Sequence, residues 1–407
     1  MNNLFQKLMK EATKLTRSGQ LQAATDAIQR ALRGATEAAQ TAASKATSAF
    51  ESSTRAEPAP DAAARTTPRD NGSVVLDGYT RMVDTPAAAP AETETETAPE
   101  QWTDGSFTHQ GRTLAYKLYV PPSAAGSGIA LRPLVLMLHG CTQDPADFAA
   151  GTQMNTLARE LGVAVLYPAQ TQHTNAQRCW NWFKPQHQQR GRGEPALLVA
   201  LTESVMADNH VDPARVYVAG LSAGGAMADI LARCYPDVFA GVGVHSGLPS
   251  GAATDMMGAL SVMSTGAPSG GATTASGVAP MPPLIVFHGD ADTIVNPRNG
   301  DAVVDAALGS SPSSPSRPSG PFTPRIAEGS SITGQRFTRT VYPAVPGRNA
   351  IEHWRLHGGG HAWSGGSAQG SFTQPNGADA SAEMLRFFLA HPLRREAVDG
   401  HLTTERP

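Results

Sequence analysis

The stretch Val216–Cys234, VYVAGLSAGGAMADILARC, decides how the rest of the chain is read. A β-branched, apolar run ends at Ala219. Gly220-Leu221-Ser222-Ala223-Gly224 follows, and then a helix-forming run. This is G-x-S-x-G in its required context of strand, tight turn and helix. Glycines flank the serine because the turn is sharp and neighbouring elements pass close to it, so a side chain there would clash. The serine then stands at the head of a helix, where the positive dipole end favours a developing anion. By itself the five-residue pattern also describes a Gly/Ser turn that caps a helix. With these flanks it predicts Ser222 as a nucleophile.

A serine hydroxyl needs a base, and the base an orienting carboxylate, in the chain order Ser, Asp or Glu, His for this kind of turn. Downstream, LIVFHGDADTIVNP (284–297) is an apolar strand leading into a carboxylate-bearing loop. Asp290, Asp292 and Asp301 are the candidates. Asp292 is preferred because it sits past the strand end, just before Thr293-Ile294-Val295, and Asp290 is read as a helper that hydrogen-bonds the loop. HWRLHGGGHAWSGG (353–366) sets His361 in a glycine-rich loop after a strand, and His357 competes from the strand end. His139, His245 and His288 each follow an apolar strand and read as hydrogen-bonding residues. Acyl transfer also needs donors for an oxyanion. The backbone N–H of Ala223 is one, and that of Cys141, in PLVLMLHGCTQD (133–144), is the other.

Short apolar runs at Leu134–Leu138, Val163–Tyr167, Val216–Ala219, Val242–Val244 and Leu284–Phe287 predict strands. Helical spacing falls at about 152–161, 195–210, 223–234 and 379–390. Such alternation predicts an α/β fold, a mostly parallel central sheet with helices on both faces. FTHQGRTLAYKLYVPP adds two strands around a Gln110-Gly111 turn. The catalytic domain is placed at 101–395, followed by a tail at 396–407. It carries low-complexity inserts at about 251–280, with a Met-containing helical piece at the front, and at 309–334, read as a Ser/Pro loop.

Residues 1–34 repeat Leu4, Leu8, Ala12, Leu15, then Leu21, Ala24, Ile28, Leu32 at helical spacing. This predicts an amphipathic helical segment for self-association or for contact with a polymer granule. Residues 35–100, rich in Ala, Thr, Pro and Glu, are read as a disordered linker. The chain has 407 residues, 40% of them hydrophobic and 16% charged, with a net charge of −3. That balance gives no footprint for nucleic acid. Three cysteines exclude a disulfide-dense scaffold and a four-cysteine zinc site. No run predicts a transmembrane segment, and no secretory signal is visible, which places the protein in the cytoplasm.

Taken together, LHGCTQ, NAQRCWNWF, VYVAGLSAGG, VFHGDADTIVNP and GGGHAWSGG resemble the polyhydroxybutyrate depolymerase family of esterases, with its feruloyl and acetylxylan esterase relatives. The resemblance runs from about residue 105 to 391. It implies an α/β-hydrolase fold and a Ser–Asp–His mechanism on an ester or polyester, without metal or organic cofactor. Motif by motif it falls on Ser222, Asp292 and His361, with Cys141 and Ala223 at the anion site. It gives Trp180 and Trp182 a place in a substrate groove, against the alternative that they are packing residues. Cys179 either pairs with Cys141 or stands with it as a free thiol, the expectation for a reducing cytoplasm. The family's secreted members imply an extracellular location instead. The rival readings are a peptidase or thioesterase on the same fold, and a non-catalytic granule-binding protein.

Overall fold

The computed structural model describes residues 99–122, 131–268, 281–309, 323–345 and 349–393. The helical segment 1–34, all but the last residues of the linker 35–100 and the tail 396–407 lie outside them.

The chain enters as a hairpin, β1 (Gln101–His109) and β2 (Arg112–Val120). Gln110 and Gly111 both hold positive φ, 49° and 73°, as a two-residue turn between right-twisted strands requires. Then strands and helices alternate: β3 (Arg132–Leu138), α1 (Pro145–Thr152), α2 (Met154–Leu161), β4 (Ala164–Ala169), α3 (Gly193–Asp208), β5 (Val211–Leu221), α4 (Ala223–Cys234), β6 (Gly241–His245), α5 (Met256–Thr265), β7 (Leu284–Gly289) and α6 (Arg298–Leu308). Next come β8 (Arg325–Ser330), β9 (Arg336–Tyr342), β10 (Ile351–Leu356), the short pair β11 (Trp363–Ser364) and β12 (Thr373–Gln374), and α7 (Ala380–Leu389).

The ten-stranded sheet has the order β1-β2-β4-β3-β5-β6-β7-β10-β9-β8. Strands β4, β3, β5, β6, β7 and β10 form its parallel centre, and an antiparallel pair closes each side. Successive side chains of one strand pack on opposite faces. Leu134, Leu136 and Leu138 of β3 join Val216, Val218, Leu284 and Val286 in one core, under α3 and α4. Val135 and Met137 join Tyr217, Ala219, Ile285 and Phe287 in the other, against α1, α2 and α7. Both faces being covered explains why these strands read as continuous apolar runs rather than as alternating ones. The Tyr217 and Phe388 rings stack 4.9 Å apart, fastening α7 to β5.

Several elements differ from the sequence reading. Helix α1 precedes the predicted one and is separated from it by Gln153 at φ 55°. It starts on Asp144, whose carboxylate accepts the Ala146 and Asp147 amides, with Pro145 in the first turn. Part of the segment read as a Ser/Pro loop is strand β8, Arg325–Ser330. It is mostly exposed on both sides and defined by its ladder with β9, so it leaves no hydrophobic period to read. The Met-containing helical piece expected at the front of the other insert is present as Met256–Thr265, capped by the Asp255 carboxylate on the Gly258 amide.

Candidate active site

Strand β5 runs straight into α4 with Ser222 as the only residue between them. Ser222 sits at φ 57°, ψ −117°, a region that L side chains rarely occupy. The surroundings over-determine it: its N–H donates to the His245 carbonyl (2.9 Å), and its carbonyl accepts the Ala226 amide (2.9 Å). The flanking glycines leave room for this turn. A Cβ on Gly220 would come within 2.7 Å of the Leu138 carbonyl, and one on Gly224 would strike the same carbonyl and that of His139. The β3 loop therefore lies directly on the head of α4. Ser222 is 7% exposed.

That loop carries Cys141. Gln143, buried, accepts the Gly140 amide on Oε1 (2.9 Å) and donates from Nε2 to Asp147 (3.1 Å) and to the Ser371 carbonyl (3.0 Å). A disulfide joins Cys141 to Cys179 and holds the loop from the other side. Among the described residues, the N–H groups of Cys141 and Ala223 donate to no protein acceptor.

Asp292 follows β7 and His361 follows β10, both at the same carboxyl edge of the sheet as Ser222. The Asp292 Oδ1 accepts the Ile294 and Val295 amides, each at 2.9 Å, while Oδ2 accepts His361 Nδ1–H at 2.7 Å. Burial would raise the Asp292 carboxyl. The hydrogen bonds and charge interactions with His288 and His361 outweigh it and hold this acid well below the usual carboxylate range. With Nδ1 engaged, Nε2 is the nitrogen of His361 left for a substrate or nucleophile proton.

The competing pair is also present. His357 Nδ1–H donates to Asp290 (2.9 Å), its Nε2 meets the Thr338 hydroxyl (2.8 Å), and the Gly358 amide donates to Asp290 (2.7 Å). This clamp, with the Ala291 N–H on the Gly359 carbonyl (3.0 Å), zips the Asp292 loop to the His361 loop. Asp301 lies on α6 and pairs with Arg355 at 2.6 Å. The strand-end histidines His139, His245 and His288 are hydrogen-bonded. His139 accepts the Gln170 amide on Nε2 (3.1 Å) and donates from Nδ1 to the Gly140 carbonyl (2.7 Å); burial pushes it down to about 4. His288 donates to the Val295 carbonyl (2.9 Å), with Asp292 Oδ2 at 3.4 Å from the same nitrogen.

Trp180 and Trp182 do not line an open groove. They are 1% and 5% exposed. The Trp180 indole N–H donates to the His139 carbonyl (3.1 Å) and its ring packs on His139, while Trp182 meets Phe183 edge-on. A large ring with a satisfied polar edge belongs in a core, and Trp180 supports the loop beneath the Cys141 turn. Sequence reasoning also missed Glu194, which is 3% exposed. It accepts the Asn181 amide (2.8 Å), the Asn181 side chain (2.6 Å) and the Gln170 side chain (2.7 Å). Burial would raise its carboxyl, but these bonds and His187 keep it low. Its one visible signal is a charge at the start of the apolar helix α3. Gln143 was in view within LHGCTQD, yet nothing in that string tells which side chain braces the turn. Among the described residues no group of three His, Cys, Asp or Glu side chains is arranged to hold a metal.

A mostly parallel sheet flanked by helices, with a strained serine at the β5–α4 turn, is the α/β-hydrolase architecture. Residues 114–310 match the family described as Esterase PHB depolymerase, so through this region the chain is similar to that family. It is 33% identical over 239 residues to poly(3-hydroxyalkanoate) depolymerase C of Paucimonas lemoignei, covering 56% of this chain and 54% of that protein. It is 35% identical to a poly(3-hydroxybutyrate) depolymerase of Ralstonia pickettii, over 36% of this chain and 32% of the relative. It is 34% identical to feruloyl esterase B of Thermothelomyces thermophilus, over 30% and 41%. The chain thus spans about half or less of the length of these curated relatives.

Proposed function

We propose that the chain hydrolyses carboxylic esters through Ser222, His361 and Asp292. The observation that carries this reading is the 2.7 Å bond from His361 to a deeply ionised Asp292, at the sheet edge that also bears the strained Ser222. His361 Nε2 takes the Ser222 proton as Oγ attacks the ester carbonyl. The Cys141 and Ala223 amides receive the oxyanion. As the tetrahedral species collapses, the alcohol leaves with the proton from His361, and the acyl group stays on Oγ. Water, deprotonated by His361, then releases the acid and restores the serine. Asp292 fixes the imidazole with its proton on Nδ1 and stabilises its charged form.

Polyhydroxyalkanoates, or related aryl and acetyl esters, are the proposed substrates. The similarity to depolymerases and to a feruloyl esterase supports that class. A direct test compares a purified polyester film, p-nitrophenyl butyrate, a thioester and a peptide. The reading requires ester cleavage and fluorophosphonate labelling in the wild-type chain, both lost in Ser222→Ala with the fold retained. Unchanged turnover in Ser222→Ala would sink it. The association of residues 1–34 with polymer granules is proposed on their amphipathic spacing, and deletion of residues 1–100 with unaltered granule binding would remove it.

A further inference from the structure

His245 is fully buried at the end of β6, and the mechanism above does not use it. Its backbone carbonyl accepts the Ser222 N–H at 2.9 Å. Its ring Nε2 accepts the N–H of Ser364 at 3.0 Å, three residues beyond His361. The ring lies nearly parallel to Phe287 (5.8 Å, 10°) and Trp363 (5.1 Å, 24°). One residue therefore holds the nucleophile's turn through its main chain and the base's loop through its side chain.

We infer that His245 is a positioning residue for the ester hydrolase proposed above, setting the reach of His361 to Ser222 by anchoring Ser364. To accept from Ser364, Nε2 must be unprotonated, so the ring proton sits on Nδ1, where Ser246 Oγ lies at 3.2 Å. Its titratable neighbours are His288, His361 and Asp292. Burial, with help from the two histidines, drives His245 down to about 3, which keeps the ring neutral across the working range of an esterase. Phe287 and Trp363 keep the ring plane, and hence the acceptor direction, from turning. Ser364 is itself fully buried, so its N–H finds no water if the acceptor is lost.

The test uses the full chain with His245→Phe and His245→Gln. Phenylalanine keeps a flat ring between Phe287 and Trp363 but offers no acceptor, whereas glutamine restores one. Kinetics on p-nitrophenyl butyrate should show kcat in His245→Phe falling roughly 10- to 100-fold, the range for an unpaired buried N–H at the site, with KM within about twofold. His245→Gln should recover most of that loss at a comparable Tm. A His245→Phe kcat within twofold of wild type overturns the inference. So does an equal loss in both variants that follows their Tm. Nitrogen-15 shifts of His245 in the intact wild-type chain at neutral pH give a reading that needs neither variant to fold nor any turnover. A neutral ring protonated at Nδ1 supports the anchor, and an Nε2-protonated or charged ring overturns it. A wild-type chain that cleaves no ester removes the hydrolase reading by a separate result, and the nitrogen shifts still decide the anchor.

Discussion

His361 donates from Nδ1 to Asp292 Oδ2 at 2.7 Å, across 69 residues of sequence, with the carboxylate side chain out of contact with solvent. Asp292 Oδ1 is fully used by the Ile294 and Val295 amides, so only Oδ2 faces the imidazole. Asp292→Asn would keep the shape and present an amide that favours the wrong tautomer of His361. Steady-state kinetics should show kcat lower by about 10⁴-fold with a small change in Tm. A loss below tenfold would remove Asp292 from its proposed role.

Gly224→Ala tests the close approach of the β3 loop to α4. The added Cβ would strike the Leu138 and His139 carbonyls, and backbone against backbone has no rotamer by which to escape. The variant should lose about 3 kcal/mol or fail to fold. Gly111→Ala, with open space but φ 73°, should cost only about 1 kcal/mol. Chemical denaturation of the two side by side checks the contrast.

The Cys141–Cys179 disulfide closes a segment with a sequence separation of 38. Changing both cysteines to serine should destabilise the chain by about 2–4 kcal/mol. It should also reduce kcat, because the Cys141 loop loses its covalent support and keeps only hydrogen bonds such as those of Gln143 and Thr142. Denaturant melts and ester turnover, with and without a reductant, read the two effects separately.

Acid should weaken the fold before carboxylates titrate. Burial depresses His139 to about 4, His245 to about 3 and His353 to about 4. In the unfolded chain these imidazoles return to about 6.5. Below that value the unfolded state binds more protons than the folded one, so stability is complete above pH ~6.5 and falls as pH drops toward ~4. Each histidine contributes at most about 1.4 kcal/mol per pH unit. The depressed Asp292 acts in the same direction at lower pH, its contribution fading as pH falls from the ordinary carboxylate range toward its own lower value. Thermal melts across pH 7.5 to 4.5 should show a steady fall in Tm, and a flat profile would contradict it.

The two carboxylate–histidine pairs show where sequence reasoning stops. Asp290 and Asp292 are two residues apart in one loop, and His357 and His361 are four apart in another. Either carboxylate could serve either imidazole on spacing alone. The structure pairs Asp290 with His357 and Asp292 with His361, because the main-chain bonds between the loops set them in one register. Trp180 and Trp182 illustrate the same limit. Aromatics in a polar segment read equally well as a groove or as a core, and only the position of His139 and the buried Glu194 network decides for the core.

Ser222 is where the two levels meet. Its turn was legible as residues, since strand, glycine, serine, glycine and helix are local preferences enforced over a few bonds. So were the parallel sheet and its covered faces, which leave their mark as continuous apolar runs. What only the tertiary structure decided is what surrounds that turn: the His245 carbonyl beneath it, the disulfide-held Cys141 loop beside it, and the Asp290–His357 clamp that sets the Asp292 and His361 loops in register. Those depend on long-range contacts between strand ends, whose geometry is set by packing across the sheet and is not written in any short window of residues.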